Sequence, residues 1–235
     1  MNKIYFLLIF LILSCTKTVE KPNLLFILVD DLGWTDVSYN GSDFYETDNI
    51  DRLSLNSMLF YNAYASSSVC SPTRAAIMTG KHPARVNITD WIPGLEEQPY
   101  YNNKNKPLIG PQDRNELPLN EITIAEVLKK NGYKTFYSGK WHLGSEGHYP
   151  EDQGFDINIG GFEKGSPMGG YYTPYKNPKL EDGPEGEYLT DRLTQETIDF
   201  IDSRDESKPF AAFLAFYNVH TPIQENKEFY DYYKE

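Results

Sequence analysis

Three short strand-like runs, two of them apolar almost throughout and each followed by a polar cluster, constrain this chain more than any other feature. Asn23 to Val29 is almost uninterrupted in its apolar character and stops at Asp30-Asp31-Leu32-Gly33. Tyr133 to Ser138 runs into Gly139-Lys140-Trp141-His142-Leu143-Gly144, and Pro209 to Tyr217 runs into Asn218-Val219-His220-Thr221-Pro222. The first and last, short and nearly uninterrupted in apolar character, read as buried strands of a parallel sheet, and Tyr133 to Ser138, after a helix, as the strand between them in sequence.

Helical signals fall between them. Residues 48 to 57 carry Ile50 and Leu53 behind an acidic start at Asp48, and Met58 to Ala65 reads as an extended segment. Cys70 stands where a helix begins, with Pro72 suited to its first turn and Gly80 to its end. Thr123 and Glu126 form a capping box for a helix closed by Gly132, and a further helix spans about Glu187 to Ser203. Asp90 to Leu119 and Gly160 to Gly186, rich in Pro, Gly, Asn and Tyr, read as irregular. Strands alternating with helices predict one α/β domain: a doubly wound, mainly parallel sheet with helices on both faces.

In such sheets ligands bind beyond the carboxyl ends of the strands, so the three polar clusters should converge on one edge. Asp30 and Asp31 are hard oxygen ligands suited to Ca2+ or Mg2+; the plain alternative is a solvated turn. Lys140 offers a point charge and His142 a proton donor or acceptor, unless Trp141 anchors the loop and both face solvent. His220 would be held rigidly at the sheet edge, in a catalytic or a structural role. Cys70 at a helix N-terminus faces unpaired amides and partial positive charge, with Arg74 about one turn along; a lone Cys is otherwise a small buried hydrophobe. His82 is expected in the loop after that helix and His148 in a surface turn.

Charge narrows the partners. With 22 Lys and Arg against 34 Asp and Glu, the net charge of -12 argues against nucleic acid. An acidic protein that handles an anion has to concentrate positive charge locally, through a metal ion or a few placed Lys and Arg. At the N-terminus, Lys3 followed by the apolar stretch Ile4 to Leu13 reads as a signal peptide, too short to span a bilayer. Its end, Ile12-Leu13-Ser14-Cys15, resembles a bacterial lipobox, with an ordinary secretory signal as the alternative. The expected organisation is a lipoprotein signal peptide over 1–15 with lipidated Cys15, a tether over 16–22, and a catalytic domain over 23–235. Localisation would then be periplasmic or cell-surface, with membrane contact only through the lipid anchor. A Cys15 to Cys70 disulfide is the competing use of the two cysteines.

The stretch Cys70-Ser71-Pro72-Thr73-Arg74, followed by Ala75 to Lys81, resembles the maturation and active-site signature of the type I sulfatases of the alkaline phosphatase superfamily. Asp30 to Gly33, Thr47 to Leu53, Gly139 to Gly144 and His220-Thr221-Pro222 match the same family in order and spacing, with Asp48 standing where the family usually has Pro. The resemblance implies that Cys70 is oxidised to formylglycine by a maturation enzyme, and that Asp30, Asp31 and residue 70 bind one Ca2+. It implies a hydrated formylglycine whose oxygen attacks sulfur, followed by collapse to the aldehyde with release of sulfate, a last step that a serine could not perform. Arg74 would stabilise the hydrate, and Lys140 would bind sulfate and residue 70. His142 would hydrogen-bond the diol, and His220 would protonate the leaving oxygen.

The implied activity is hydrolysis of a sulfate ester, with a sulfated glycan as the expected substrate, on whose sugar rings Trp91, Tyr100, Tyr101, Tyr171 and Tyr172 would stack unless they pack locally. Phosphodiester or phosphonate hydrolysis within the same superfamily and glycan binding without catalysis are the alternatives. The family's later metal ligands and a further sulfate-binding Lys have no counterpart here. The chain therefore reads as an N-terminal fragment, and an incomplete sheet would expose an apolar edge.

Overall fold

The computed structural model describes residues 20–92 and 113–234. The signal peptide, Cys15 and most of the tether lie outside these residues, as do Tyr100 and Tyr101. The elements run β1 (Leu24–Leu28), α1 (Asp48–Ser54), α2 (Cys70–Thr79), α3 (Pro83–Val86), α4 (Ile124–Lys130), β2 (Lys134–Gly139), β3 (Ile157–Ile159), α5 (Leu189–Asp202), β4 (Phe210–Ala215) and α6 (Tyr230–Lys234). The four strands form one sheet in the order β1-β4-β2-β3, and every pairing is parallel.

β4 lies at the centre and is buried throughout, and its alternating side chains divide the core. Ala211, Phe213 and Ala215 join Ala75 and Met78 of α2 and Ala125 of α4 on one face. Phe210 and Ala212 meet Phe200 of α5 on the other, where Leu214 meets Leu189 and Leu193. The buried positions of α5, Leu189, Leu193, Thr197 and Phe200, recur at helical spacing and make the stripe that covers that face. Helices thus cover both faces, as the alternation of elements requires.

Two expectations change. β1 reads as buried in sequence, yet Leu24 to Ile27 are exposed, because β1 pairs with β4 on one side only and forms the edge of the sheet among the described residues. Met58 to Ala65 forms no strand: no neighbouring strand receives its backbone, and Met58, Phe60, Tyr61 and Tyr64 stay exposed. At α1 the N-cap position is Thr47, with Asp48 inside the first turn. The capping box of α4 is formed as expected, with Thr123 Oγ1 accepting from the Glu126 amide and the Glu126 carboxylate accepting from the Thr123 amide.

Candidate active site

The carboxyl ends of β1, β2 and β4 deliver Asp30 and Asp31, Lys140 and His142, and His220 to one edge of the sheet, where α2 begins at Cys70. Gly139 permits the close turn out of β2. Its φ is +102°, and a Cβ there would stand 2.0 Å from the Ala215 carbonyl oxygen. Free of that clash, the Lys140 amide donates to the same oxygen at 2.8 Å. The end of β1 is joined to the segment after β4 in the same way: the Asp30 amide donates to Asn218 O at 2.7 Å, and the Val219 amide donates to Asp30 O at 2.5 Å.

Asp30 is the centre of the charge arrangement. Its Oδ2 lies 2.7 Å from Arg74 Nη2 and 2.5 Å from Lys140 Nζ, and all three side chains are buried, Lys140 completely. Cys70 Sγ closes the cluster, 3.6 Å from Asp30 Oδ1 and 3.2 Å from Lys140 Nζ. Arg74 also donates to the Lys140 carbonyl through Nη1, so it reaches Asp30 and the Lys140 backbone rather than position 70 itself. Two buried cations thus face one buried carboxylate. A net positive charge sunk in the interior is costly unless an anion completes it.

The titrations follow from this geometry. Burial would raise the Asp30 carboxyl, but Arg74 and Lys140 outweigh it and hold the group below the ordinary carboxylate range. Burial pushes the Cys70 thiol up, and Asp30 adds to this, against the pull of Lys140 and Arg74, so the unmodified side chain is a protonated thiol and a poor nucleophile. Burial, then Lys140, pushes His142 down to about 3, so its imidazole is neutral at physiological pH.

His142 holds a left-handed backbone, φ +57°, and its Nε2 lies 2.8 Å from Ile92 O, which can only accept; Nε2 therefore carries the proton. Among the described residues its buried Nδ1 has no hydrogen-bond partner, which leaves that nitrogen free to accept from a further group. Gly165 packs flat on the ring, since a Cβ there would come within 2.4 Å of it. The Ile92 amide donates to the buried Ser71 Oγ at 3.0 Å, so one residue, through its amide on one side and its carbonyl on the other, ties the start of α2 to His142.

His220 is half-buried. Its Nδ1 lies 2.8 Å from Thr221 O, and its Nε2 faces Asp31 Oδ2 at 3.9 Å. Asp30, Asp31 and Cys70 each offer a ligand atom, and these lie within 4.8 Å of one another. The cleft they line, about 430 Å³ in volume, is also bounded by Ser67, Ser68, Thr73 and Arg74. Two carboxylates fit a hard cation such as Ca2+, whereas a thiol sulfur is a soft third ligand and an oxygen at position 70 would suit the ion better.

Several residues that shape the site were not singled out in sequence. Tyr137 donates to Lys140 O at 2.5 Å and, with Arg74, fixes the carbonyl of the lysine whose side chain enters the site. Among the aromatic residues offered as a sugar platform, Tyr171 is buried in the core, and Tyr172 lies under Lys227 with its hydroxyl engaged by backbone. Trp91 remains exposed. His82 occupies the N-cap of α3, and His148 sits beside Glu116 with its carbonyl accepting from Trp141 Nε1.

A family model described as Sulfatase matches residues 22–235. Arylsulfatase J of Mus musculus is 31% identical over 235 aligned residues, covering 93% of this chain and 36% of the relative. The solved structure of Ps i-CgsB in complex with k-i-k-neocarrahexaose superposes with a TM-score of 0.72 at 29% identity, covering 91% of this chain and 49% of that one. That of BT4656 in complex with its substrate D-glucosamine-2-N,6-O-disulfate gives 0.63 at 27% identity, covering 86% and 35%. The chain thus spans between about a third and a half of these relatives.

Proposed function

From its membership of the sulfatase family, to which this chain belongs, we propose that it contributes the sulfate-ester-hydrolysing site of an exported sulfatase. The observation that carries this reading is the position of Cys70, at the start of α2 and against both Asp30 and Lys140, where two buried cations await an anion.

In this reading Cys70 is converted to formylglycine by a maturation enzyme, and its hydrated aldehyde supplies the attacking oxygen. The raised thiol supports the need for such a conversion, because the unmodified side chain is a weak nucleophile at neutral pH. Asp30, Asp31 and the oxygen at position 70 would hold one Ca2+, which supplies electrostatic stabilisation of the sulfuryl oxygens when bound. Lys140 and Arg74 hold negative charge at the same place, and their burial makes each interaction stronger than it would be in water. The Nδ1 of neutral His142 would accept a hydrogen bond from a hydroxyl at position 70 and orient it, without taking its proton. His220, beside Asp31, protonates the departing alcohol oxygen.

A sulfated glycan is the proposed substrate class. Its support is that Ps i-CgsB was solved with a neocarrahexaose and BT4656 with a disulfated glucosamine, both similar to this chain. Anchoring at the cell surface through lipidated Cys15 is supported by the sequence from Lys3 to Cys15 alone.

The test is sulfate release from sulfated mono- and oligosaccharides by protein produced with a formylglycine-generating enzyme, with Cys70→Ala as control. Sulfate release that Cys70→Ala abolishes is expected. Faster turnover of a phosphodiester than of any sulfate ester would assign the site to phosphoryl chemistry instead, and binding without turnover would make the chain a glycan-binding module.

A further inference from the structure

We infer that Tyr171 is the positioning residue for His220, its hydroxyl setting where that imidazole stands beside Asp31; this rests on the reading of His220 as the acid for the departing alcohol. The Tyr171 hydroxyl reaches two carbonyls of the turn that carries the histidine, Tyr217 O at 2.8 Å and His220 O at 2.7 Å. One hydroxyl spans both carbonyls, and Tyr217 O also accepts from the His220 amide at 3.0 Å.

The rest of residue 171 is fastened on both sides. Its amide donates to Gln224 Oε1 at 2.8 Å, just past the histidine, and its carbonyl accepts from the Leu189 amide at 2.8 Å, at the start of α5. Gly170 lets Gln224 approach: its φ is +83°, and a Cβ there would lie 2.8 Å from Gln224 Oε1. Tyr188, which leads into α5, accepts from Asn218 Nδ2 at 2.9 Å. The 217–224 segment is therefore held between the backbone of Asp30 on one flank and Tyr171 with Tyr188 on the other.

Among the described residues the His220 imidazole is hydrogen-bonded only to its own neighbour, Thr221, and its Nε2 stands 3.9 Å from Asp31. Its position is inherited from the turn, and the Tyr171 hydroxyl is what the turn's two carbonyls share. A ring buried in the core and committed in this way cannot also stack on a substrate sugar, so Tyr171 serves the site from behind.

Tyr171→Phe removes the hydroxyl and keeps the ring. In the matured protein, turnover of an alkyl or sugar sulfate, whose leaving oxygen needs a proton, should fall by about tenfold or more, while 4-nitrophenyl sulfate should stay within about twofold. In a His220→Ala background the same substitution should add no further discrimination between the two esters. Histidine-selective NMR of the unmatured chain reads the position without turnover: the His220 ring resonances should move, and those of His82, His142 and His148 should not. Equal losses on both esters, or unmoved His220 resonances, would overturn the assignment. A wild-type protein that hydrolyses no sulfate ester would overturn the sulfatase reading, and with it the kinetic prediction, while the NMR comparison still decides whether Tyr171 places His220. Should Tyr171→Phe not fold, Gln224→Ala breaks the same fastening outside the core and is expected to move the same resonances.

Discussion

Lys140 and Asp30, which leave the sheet from two strands separated by β4, meet in a buried ion pair at 2.5 Å. Neither could hold its charge there alone. The pair exists because β1, β4 and β2 are parallel and in register, so that both strands end at one level. Arg74 adds a second cation to the same oxygen and Cys70 lies against both partners, so the ion pair is also the floor of the candidate site.

Removing one partner should show its structural weight. Lys140→Ala leaves Asp30 with Arg74 as its one cation and opens a cavity at a fully buried position. A loss of about 3 kcal/mol in urea unfolding is expected. Lys140→Met, which fills about the same volume, should recover part of that stability while leaving Arg74 as the one buried cation of the cluster. Equal stability of the two variants would mean that packing at this position is unimportant.

His142 supplies a pH dependence. Its folded pKa, about 3, lies below the ordinary value of 6.5, so below 6.5 the unfolded chain takes up a proton that the folded chain refuses. Stability should therefore decline as pH falls from about 6.5 toward 3, by up to about 1.4 kcal/mol per pH unit for one proton. Asp30 acts in the same direction at lower pH: its folded pKa is depressed, so its contribution is present above the ordinary carboxylate value and is lost as pH falls through the folded one. Chemical denaturation across this range checks the slope, and His142→Asn, which tolerates the positive φ, should flatten the upper part.

Gly139→Ala should be among the most damaging single changes. The added Cβ would overlap the Ala215 carbonyl oxygen, which is backbone of the central strand, at a φ that L residues rarely adopt. A loss of more than about 3 kcal/mol, or failure to accumulate folded protein, is expected. Gly80→Ala makes the comparison: it too has positive φ, but nothing lies within 4 Å of its Cβ, so it should cost only about 1 kcal/mol.

Calcium should raise the melting temperature of the matured protein, with stabilisation of about 2.7 kcal/mol once the ion exceeds its dissociation constant by a hundredfold. Asp31→Asn should reduce this sharply. The unmatured thiol form should respond less, because sulfur is a poor ligand for a hard cation. An identical calcium response in Asp31→Asn and in the parent would remove Asp31 from the metal site.

What could be read in sequence follows from which signals are local. The capping box of α4, the glycine after α2 and the strands ending in polar clusters are written within a few residues each, and all are found in place. β3 has only three residues, too few to establish a period, and was not foreseen. The exposure of β1 depends on what pairs with its outer edge, which its own apolar sequence does not state. Ile92 and Tyr171 act through contacts between distant segments, a residue between Ser71 and His142 and a clamp on a turn, while the Tyr137 hydroxyl folds back on a carbonyl three residues on. A buried tyrosine in an apolar pattern looks like core packing, and only the three-dimensional placement of its hydroxyl reveals more.

The most direct test of the central claim is the mass of the peptide containing residue 70, taken from protein produced beside a formylglycine-generating enzyme. The expected result is the aldehyde or its hydrate in place of the thiol, together with sulfate release that Cys70→Ala abolishes. An unmodified thiol at position 70 in protein that nonetheless releases sulfate would contradict formylglycine chemistry at this site.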